Sequence, residues 1–265
     1  MKHILCGSTL VLACVQPALA LEFEFRGAEV IGTGYFNQPE AFPLPALQPV
    51  PFPDTVDDDF LTMSLGGSVE FGLGGGFFLQ GDAVFQAYDM GWDNYKLGSA
   101  GTHLGYEVGS GANIGLFSYA ELWDTPDEGD MSLGLEIAGE SGGVFYDAFG
   151  AYLFDPLNGT GWEQYHVEAT GGYLFDSGVS VEFGLHYTEG DMRFALDGNA
   201  FQALAGVGYE ITPDLKVEAG YVYTDFGTVM WDSWQSHGIK LALTKEIGGG
   251  TTFGQRNYLN LHNGY

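Results

Sequence analysis

Apolar and polar residues alternate along most of this chain with a period of two. Leu215, Val217, Ala219, Tyr221 and Tyr223 alternate with Lys216, Glu218, Gly220, Val222 and Thr224. Val179, Val181, Phe183, Leu185 and Tyr187 alternate with Ser180, Glu182, Gly184, His186 and Thr188. Leu61 to Phe71 and Met131 to Ile137 repeat the pattern, with Thr62, Ser64, Gly66, Ser68 and Glu70, and Ser132, Gly134, Glu136 and Ala138, in the polar phase. A strand sends successive side chains to opposite faces, so each segment carries one apolar and one polar face; a helix would scatter both sets around its circumference. Strands are expected near 22–36, 58–72, 77–89, 95–108, 112–122, 130–140, 143–154, 162–175, 178–188, 193–210, 214–225 and 236–247. The 193–210 stretch is interrupted at Asp197-Gly198-Asn199, so its strand can instead begin at Asn199, with Asp191 to Gly198 in the preceding loop.

The connections alternate in length. Short ones fall at Gly72–Gly76, Gly109–Gly111, Glu140–Gly142, Asp176-Ser177 and Thr212-Pro213, where Gly, Asp and Pro supply turn geometry. Longer ones fall at 37–57, 90–94, 123–129, 155–161, 189–198 and 226–235. Aromatic residues gather at strand ends. Tyr35, Phe36, Tyr88, Trp92, Tyr95, Trp123, Tyr152, Phe154, Trp162, Tyr165, Phe226, Trp231 and Trp234 flank the long connections, and Phe71, Phe77, Tyr106, Tyr173, Phe175 and Tyr209 the short ones. Tight turns at one end, longer loops at the other and two aromatic girdles predict an all-β fold: a transmembrane antiparallel up-and-down β-barrel of about 12 strands, with 10–14 allowed. An even count puts both ends of the barrel on the short-turn side.

Composition fits that reading. The 265 residues include 42 Gly, 20 Phe, 15 Tyr and 5 Trp, yet only 16% are charged. Lys2 and His3, the apolar stretch Ile4 to Val15 and Ala18-Leu19-Ala20 have the form of a signal peptide over residues 1–20. A rival reading makes Cys14, after Val11-Leu12-Ala13, a lipid-modified N-terminus. Removal of residues 1–20 takes away Cys6 and Cys14, leaving no thiol chemistry, and also Lys2, so the charge of −27 becomes −28. An acid excess of this size excludes a basic nucleic-acid footprint and favours cations. The expected organisation is therefore a signal peptide at 1–20, a barrel at 21–247 with a Pro-rich loop at 37–57, and a C-terminal tail or terminal strand at 248–265.

The segments Tyr209-Glu-Ile-Thr-Pro-Asp-Leu-Lys-Val-Glu-Ala-Gly-Tyr-Val-Tyr223 and Gly74-Gly-Gly-Phe-Phe-Leu-Gln-Gly-Asp-Ala-Val-Phe85 carry a resemblance. With them the chain resembles the porin-like outer-membrane β-barrel superfamily of Gram-negative bacteria. The resemblance implies export to the bacterial outer membrane and contact with its lipid and lipopolysaccharide. It also implies assembly by the barrel-assembly machinery, passive diffusion of small hydrophilic solutes, and homo-oligomers in some members. Such barrels often end in an aromatic residue, usually Phe; here it is Tyr265.

Candidate functional residues follow from the polar phase. Glu70, Asp82, Glu107, Glu136, Glu168, Glu182, Glu210 and Glu218 form an acidic row expected to line the lumen, since charges facing lipid are costly. Arg26, Lys216 and Lys240 share that phase as basic partners. The row reads either as the lining of a cation-favouring pore or as ion pairs packing a closed lumen. Small inward residues such as Gly66, Gly134, Gly184 and Gly220 leave room for a channel, or for aromatic side chains laid against a neighbouring backbone. Gln38 to Asp59 holds six of the ten prolines and is expected to be a loop, as an outer cap rather than a constriction inside the lumen. Asp124, Asp127, Glu128 and Asp130 are weak candidates for a divalent ion; the bland reading is a solvated loop. His103, His166 and His186 are inward on separate strands, and Ser236-His237 sits where a hydrolase could place its pair, with no third member to name. No enzyme motif or cofactor fingerprint is present. Three functions remain open: a channel, a closed structural or adhesive surface barrel, and, least supported, a hydrolase.

Overall fold

The computed structural model describes residues 23–39, 42–43, 55–56, 60–89, 94–109, 111–123, 129–154, 163–192, 196–228 and 234–256. Twelve long strands form one closed barrel: β1 (Glu24–Pro39), β2 (Phe60–Gly74), β3 (Phe77–Asp89), β4 (Asn94–Gly109), β5 (Ala112–Trp123), β6 (Gly129–Ser141), β7 (Val144–Phe154), β8 (Glu163–Leu174), β9 (Val179–Met192), β10 (Leu196–Thr212), β11 (Leu215–Thr228) and β12 (Trp234–Ile247). Each pairs antiparallel with its sequence neighbours. β1 closes the sheet on β12 in a continuous register from Ala28↔Ile247 to Pro39↔Ser236. A separate short ladder, Phe42–Pro43 with Thr55–Val56, lies in the first long connection. The rest of the Pro-rich segment and the expected signal peptide lie outside the described residues, as do Asp124, Asp127 and Glu128.

No strand end departs from its expected position by more than four residues. The largest difference is at 189–198, expected as a long loop. The ladder instead continues through Gly190↔Gly198, Asp191↔Asp197 and Met192↔Leu196, so β9 and β10 run past the interruption that Asp197-Gly198-Asn199 suggests. Gly190 adopts φ 144°, a conformation closed to most side chains, and a Cβ there would lie 2.1 Å from the Glu163 carbonyl oxygen. The short turns behave as their residues require. Gly142 and Gly143, at φ 60° and 81°, make the two-residue turn between Ser141 and Val144, a geometry in which both central residues need positive φ. Register shifts at Phe25/Gly27, Gly72/Gly74, Glu107/Gly109 and Glu210/Thr212 all fall on the short-turn rim, where bulges let the sheet curl.

The two phases separate as the alternation demands. Leu65, Leu135 and Phe183 face outward and are more than 60% exposed, within a belt that also holds Met63, Phe85, Leu116, Leu133, Leu185, Leu241 and Leu243. A belt of this kind is far larger than any apolar patch a water-soluble surface tolerates, so its natural solvent is hydrocarbon. Aromatic pairs mark the short-turn rim, including Phe77–Tyr106 at 4.7 Å and Tyr173–Phe175 at 4.8 Å; Tyr152–Tyr165 at 5.3 Å marks the other end. Three expected girdle residues, Tyr35, Tyr88 and Phe226, point inward instead and are buried.

Inward aromatics lie directly over inward glycines of the neighbouring strand. Tyr119 covers Gly101, Phe78 covers Gly105, Phe117 covers Gly134 and Phe145 covers Gly172. A Cβ on any of these glycines would come within 2.1–2.3 Å of the ring above it. The small inward residues therefore accommodate rings as much as they leave free space.

Replacing Leu135 with Arg, at the middle of β6 on the outer face, is expected to destabilise the barrel by about 2–4 kcal/mol in lipid vesicles. Urea titration followed by tryptophan fluorescence measures it; a shift in water-soluble detergent-free buffer without one in vesicles would contradict the bilayer assignment.

Candidate functional site

After Ile247 the chain does not add a strand. Gly248, Gly249 and Gly250, at φ 73°, 116° and 76°, turn it back into the barrel mouth. The Gly250 carbonyl presses on Gly27 of β1 so closely that a Cβ there would stand 1.8 Å away. Thr251 to Arg256 then runs inside the lumen, and Phe253 and Arg256 are almost fully buried. Up to Arg256, the described part of 248–265 pairs with no strand and lies inside the barrel mouth as a plug-like segment, called the plug below.

The plug carries no ladder of its own, so its polar groups need partners, and the inward side chains supply them. The Thr252 N–H donates to Glu70 Oε2 at 2.8 Å. Gln80 makes a two-way bridge, accepting from the Phe253 N–H at 3.1 Å and donating to its carbonyl at 2.9 Å. Gly254 N–H donates to Asp147 Oδ2 at 3.1 Å, and Gln255 Nε2 to Ser68 Oγ at 3.0 Å. Gly66 and Gly115 make the space: a Cβ on Gly66 would meet Gln255, and one on Gly115 would meet Phe253 and Glu136.

Arg256 is the plug's anchor. Its Nε and Nη2 donate to Glu136 Oε2 at 2.9 and 2.6 Å. Its Nη1 and Nη2 donate to Asp147 Oδ1 and Oδ2 at 2.7 and 3.2 Å, a fork-to-fork pairing. The guanidinium carbon lies 4.6 Å from the Phe149 ring centre and 5.7 Å from that of Phe117. Behind Glu136 stands His103, with Nδ1 at 2.8 Å from Glu136 Oε1 and Nε2 at 2.8 Å from Asp82 Oδ2. Tyr119 and Gln80 donate to Asp82 in turn, and the Phe253 ring stacks on His103.

All eight residues of the acidic row belong to the polar phase, but they divide into groups. Glu70, Asp82 and Glu136 gather around the plug. Arg26 bridges Glu70 at 3.1 Å and Glu107 at 2.7 Å, with its guanidinium carbon 4.7 Å from the Phe78 ring centre; Glu107 is half exposed at the short-turn rim. Glu168 pairs with His186, and Lys216 with Glu218 at 2.8 Å. Lys240 lies within electrostatic reach of Glu168, Glu182 and Glu218. Glu210 is at the rim, paired across the ladder with Lys216 and within electrostatic reach of Glu246. At the same rim Lys245 and Thr212 hold the turn carboxylate Asp214 below the usual carboxylate range by hydrogen bonding to its charged form. Asp130 is buried and inward, and no group of three or more acids, histidines or cysteines suited to a metal ion occurs among the described residues.

Arg256 and Phe253 were not foreseeable as site residues from alternation, because a plug has no period. The signal available was an arginine in a strongly acidic chain beyond three consecutive glycines. Ser236 and His237 turn out to face opposite sides of the sheet: Ser236 is buried and accepts from Asn37 Nδ2 at 3.1 Å, whereas His237 is exposed against Tyr221 and Tyr223. Adjacent residues of one strand cannot form a nucleophile–base pair in this arrangement.

The architecture is a closed twelve-stranded antiparallel sheet with an apolar belt and a polar, charged interior. Solved structures of outer-membrane channels and porins share this fold. The COG4313 outer membrane channel from Pseudomonas putida F1 aligns with a TM-score of 0.54 at 13% identity, over 88% of this chain and 100% of that one. The NanC porin aligns with a TM-score of 0.56 at 8% identity, over 82% and 98%. The CymD monoaromatic hydrocarbon channel aligns with a TM-score of 0.51 at 9% identity, over 88% and 90%. No protein-family model and no curated protein matches the sequence.

Arg256→Ala leaves two lumenal carboxylates without their partner, a change expected to weaken plug docking by roughly 3–5 kcal/mol. Chymotryptic cleavage after Phe253, followed by mass spectrometry, should be slow in the native chain and fast in this variant. Equal rates would place the plug's anchorage elsewhere.

Proposed function

We propose that the protein is an outer-membrane channel for passive diffusion of small hydrophilic solutes, with a preference for cations, and that residues 1–20 direct its export. The carrying observation is the imbalance of the lumen. Among the described residues, the eight carboxylates of the row and Asp147 share the polar face, with Glu107 and Glu210 at its short-turn rim, with four permanent cations, Arg26, Lys216, Lys240 and Arg256. One of those four belongs to the plug, so its departure would raise the field that attracts cations. At the same short-turn rim an open depression of about 410 Å³ is lined by Glu24, Arg26 and Glu107 together with Phe25 and Phe77. The fold neighbours supply a further argument, since each is described as a porin or channel.

A second reading has its own observation. Rings laid over glycines, paired charges and the plug all take up space inside the barrel, the arrangement a closed surface barrel requires. The two part in planar bilayers. The channel reading expects Arg256→Ala to conduct more than the native chain, with a reversal potential on the cation side under a KCl gradient. A reversal potential at zero or on the anion side removes the cation preference, and no current from either chain leaves the closed barrel.

A further inference from the structure

The groups that hold Arg256 all come from the barrel wall. Phe117 is on β5, Glu136 on β6, and Asp147 and Phe149 on β7. When the plug leaves, this set stays. Glu136 is also aimed independently of the plug, because His103 holds its second oxygen and Asp82 holds His103. We propose that this wall pocket is a binding site for guanidinium-bearing solutes, and that Arg256 is a tethered occupant which such a solute displaces. Describing that ligand as a transported solute rests on the channel reading above.

The chemistry selects this ligand class. A guanidinium is planar and presents its N–H groups in a fixed fork, which is what a two-oxygen acceptor such as Asp147 matches. Its weakly hydrated faces fit against Phe149 and Phe117, whereas an ammonium is compact and strongly hydrated and makes no such fork. A metal ion has neither a fork of N–H donors for Asp147 nor a planar face to lie against the two rings. The tether sets the working range. A group held by a short flexible segment competes at an effective concentration in the millimolar region, so a free guanidinium must act at millimolar levels. Weak, reversible binding of that order suits a site that must release what it takes up.

The test uses the full chain in phosphatidylcholine vesicles, with methylguanidinium as the probe and methylammonium as the control at equal ionic strength. Chymotryptic cleavage after Phe253 reports plug release. For a site with a dissociation constant of roughly 10 mM, roughly 100 mM methylguanidinium is expected to speed cleavage about tenfold, and methylammonium hardly at all. Equal effects of the two cations, or none from either, would overturn the proposal. Glu136→Gln should be cleaved fast without ligand and be indifferent to methylguanidinium; a retained response would put the site elsewhere. In planar bilayers, methylguanidinium but not methylammonium should block current through Arg256→Ala. Current that both cations leave alike would again overturn the site. Absence of current together with selective plug release would instead uphold the site and remove the channel.

Discussion

Closure of the sheet is the constraint on which the rest of this structure depends. In a hydrocarbon solvent each unpaired backbone N–H or C=O costs several kcal/mol, so a sheet there can leave no edge. The twelve-residue register between β1 and β12, Ala28↔Ile247 through Pro39↔Ser236, removes the last one. With the edge gone, the alternation along each strand has only one meaning: apolar side chains outward, polar and small ones inward. The charges must then share an enclosed space. That is why Glu70, Glu136, Glu168 and Glu218 are found with Arg26, Arg256, His186 and Lys216 rather than dispersed in water.

Closure at twelve strands also creates a volume problem. Eight-stranded barrels are filled by side chains, and sixteen-stranded ones hold water. Here the interior is reduced in two ways. Large rings are laid on glycines, as Tyr119 is on Gly101 and Phe117 on Gly134, which lets a bulky side chain lie along the wall. The segment after Ile247 fills further space near the short-turn mouth. The same small residues that suggested an empty lumen are those that receive these fillers. A glycine in a barrel interior is therefore an ambiguous sign until its neighbour's side chain is known.

The strands were legible in the sequence because burial on one face leaves a periodic trace, and twelve such traces return as strands with ends within four residues of expectation. The acidic row is drawn from the polar phase of those same strands. What failed did so where side-chain chemistry stopped predicting backbone pairing. Asp197-Gly198-Asn199 has turn composition, yet ladder pairing from Gly190 to Met192 overrides it. Tyr35, Tyr88 and Phe226 stand near strand ends as girdle residues do, but their parity sends them inward, and parity decides the face. The plug had no period to read. Its six described residues from Thr251 are ordered by side-chain contacts with Ser68, Glu70, Gln80, Glu136 and Asp147, which lie far away in sequence.

The way the plug is held also argues for its removability. A thirteenth strand would be fixed by a continuous ladder on an edge, and closure has left no edge to join. The segment is held instead by side-chain bonds, one buried ring and one ion-paired guanidinium. Each is strong only while water is excluded, and each has a partner that stays on the wall when the bond breaks. The barrel's twelve ladders do not pass through the plug, so its departure costs the sheet nothing in backbone pairing. A structure that separates scaffold from filler in this manner can change what occupies its lumen without changing its fold.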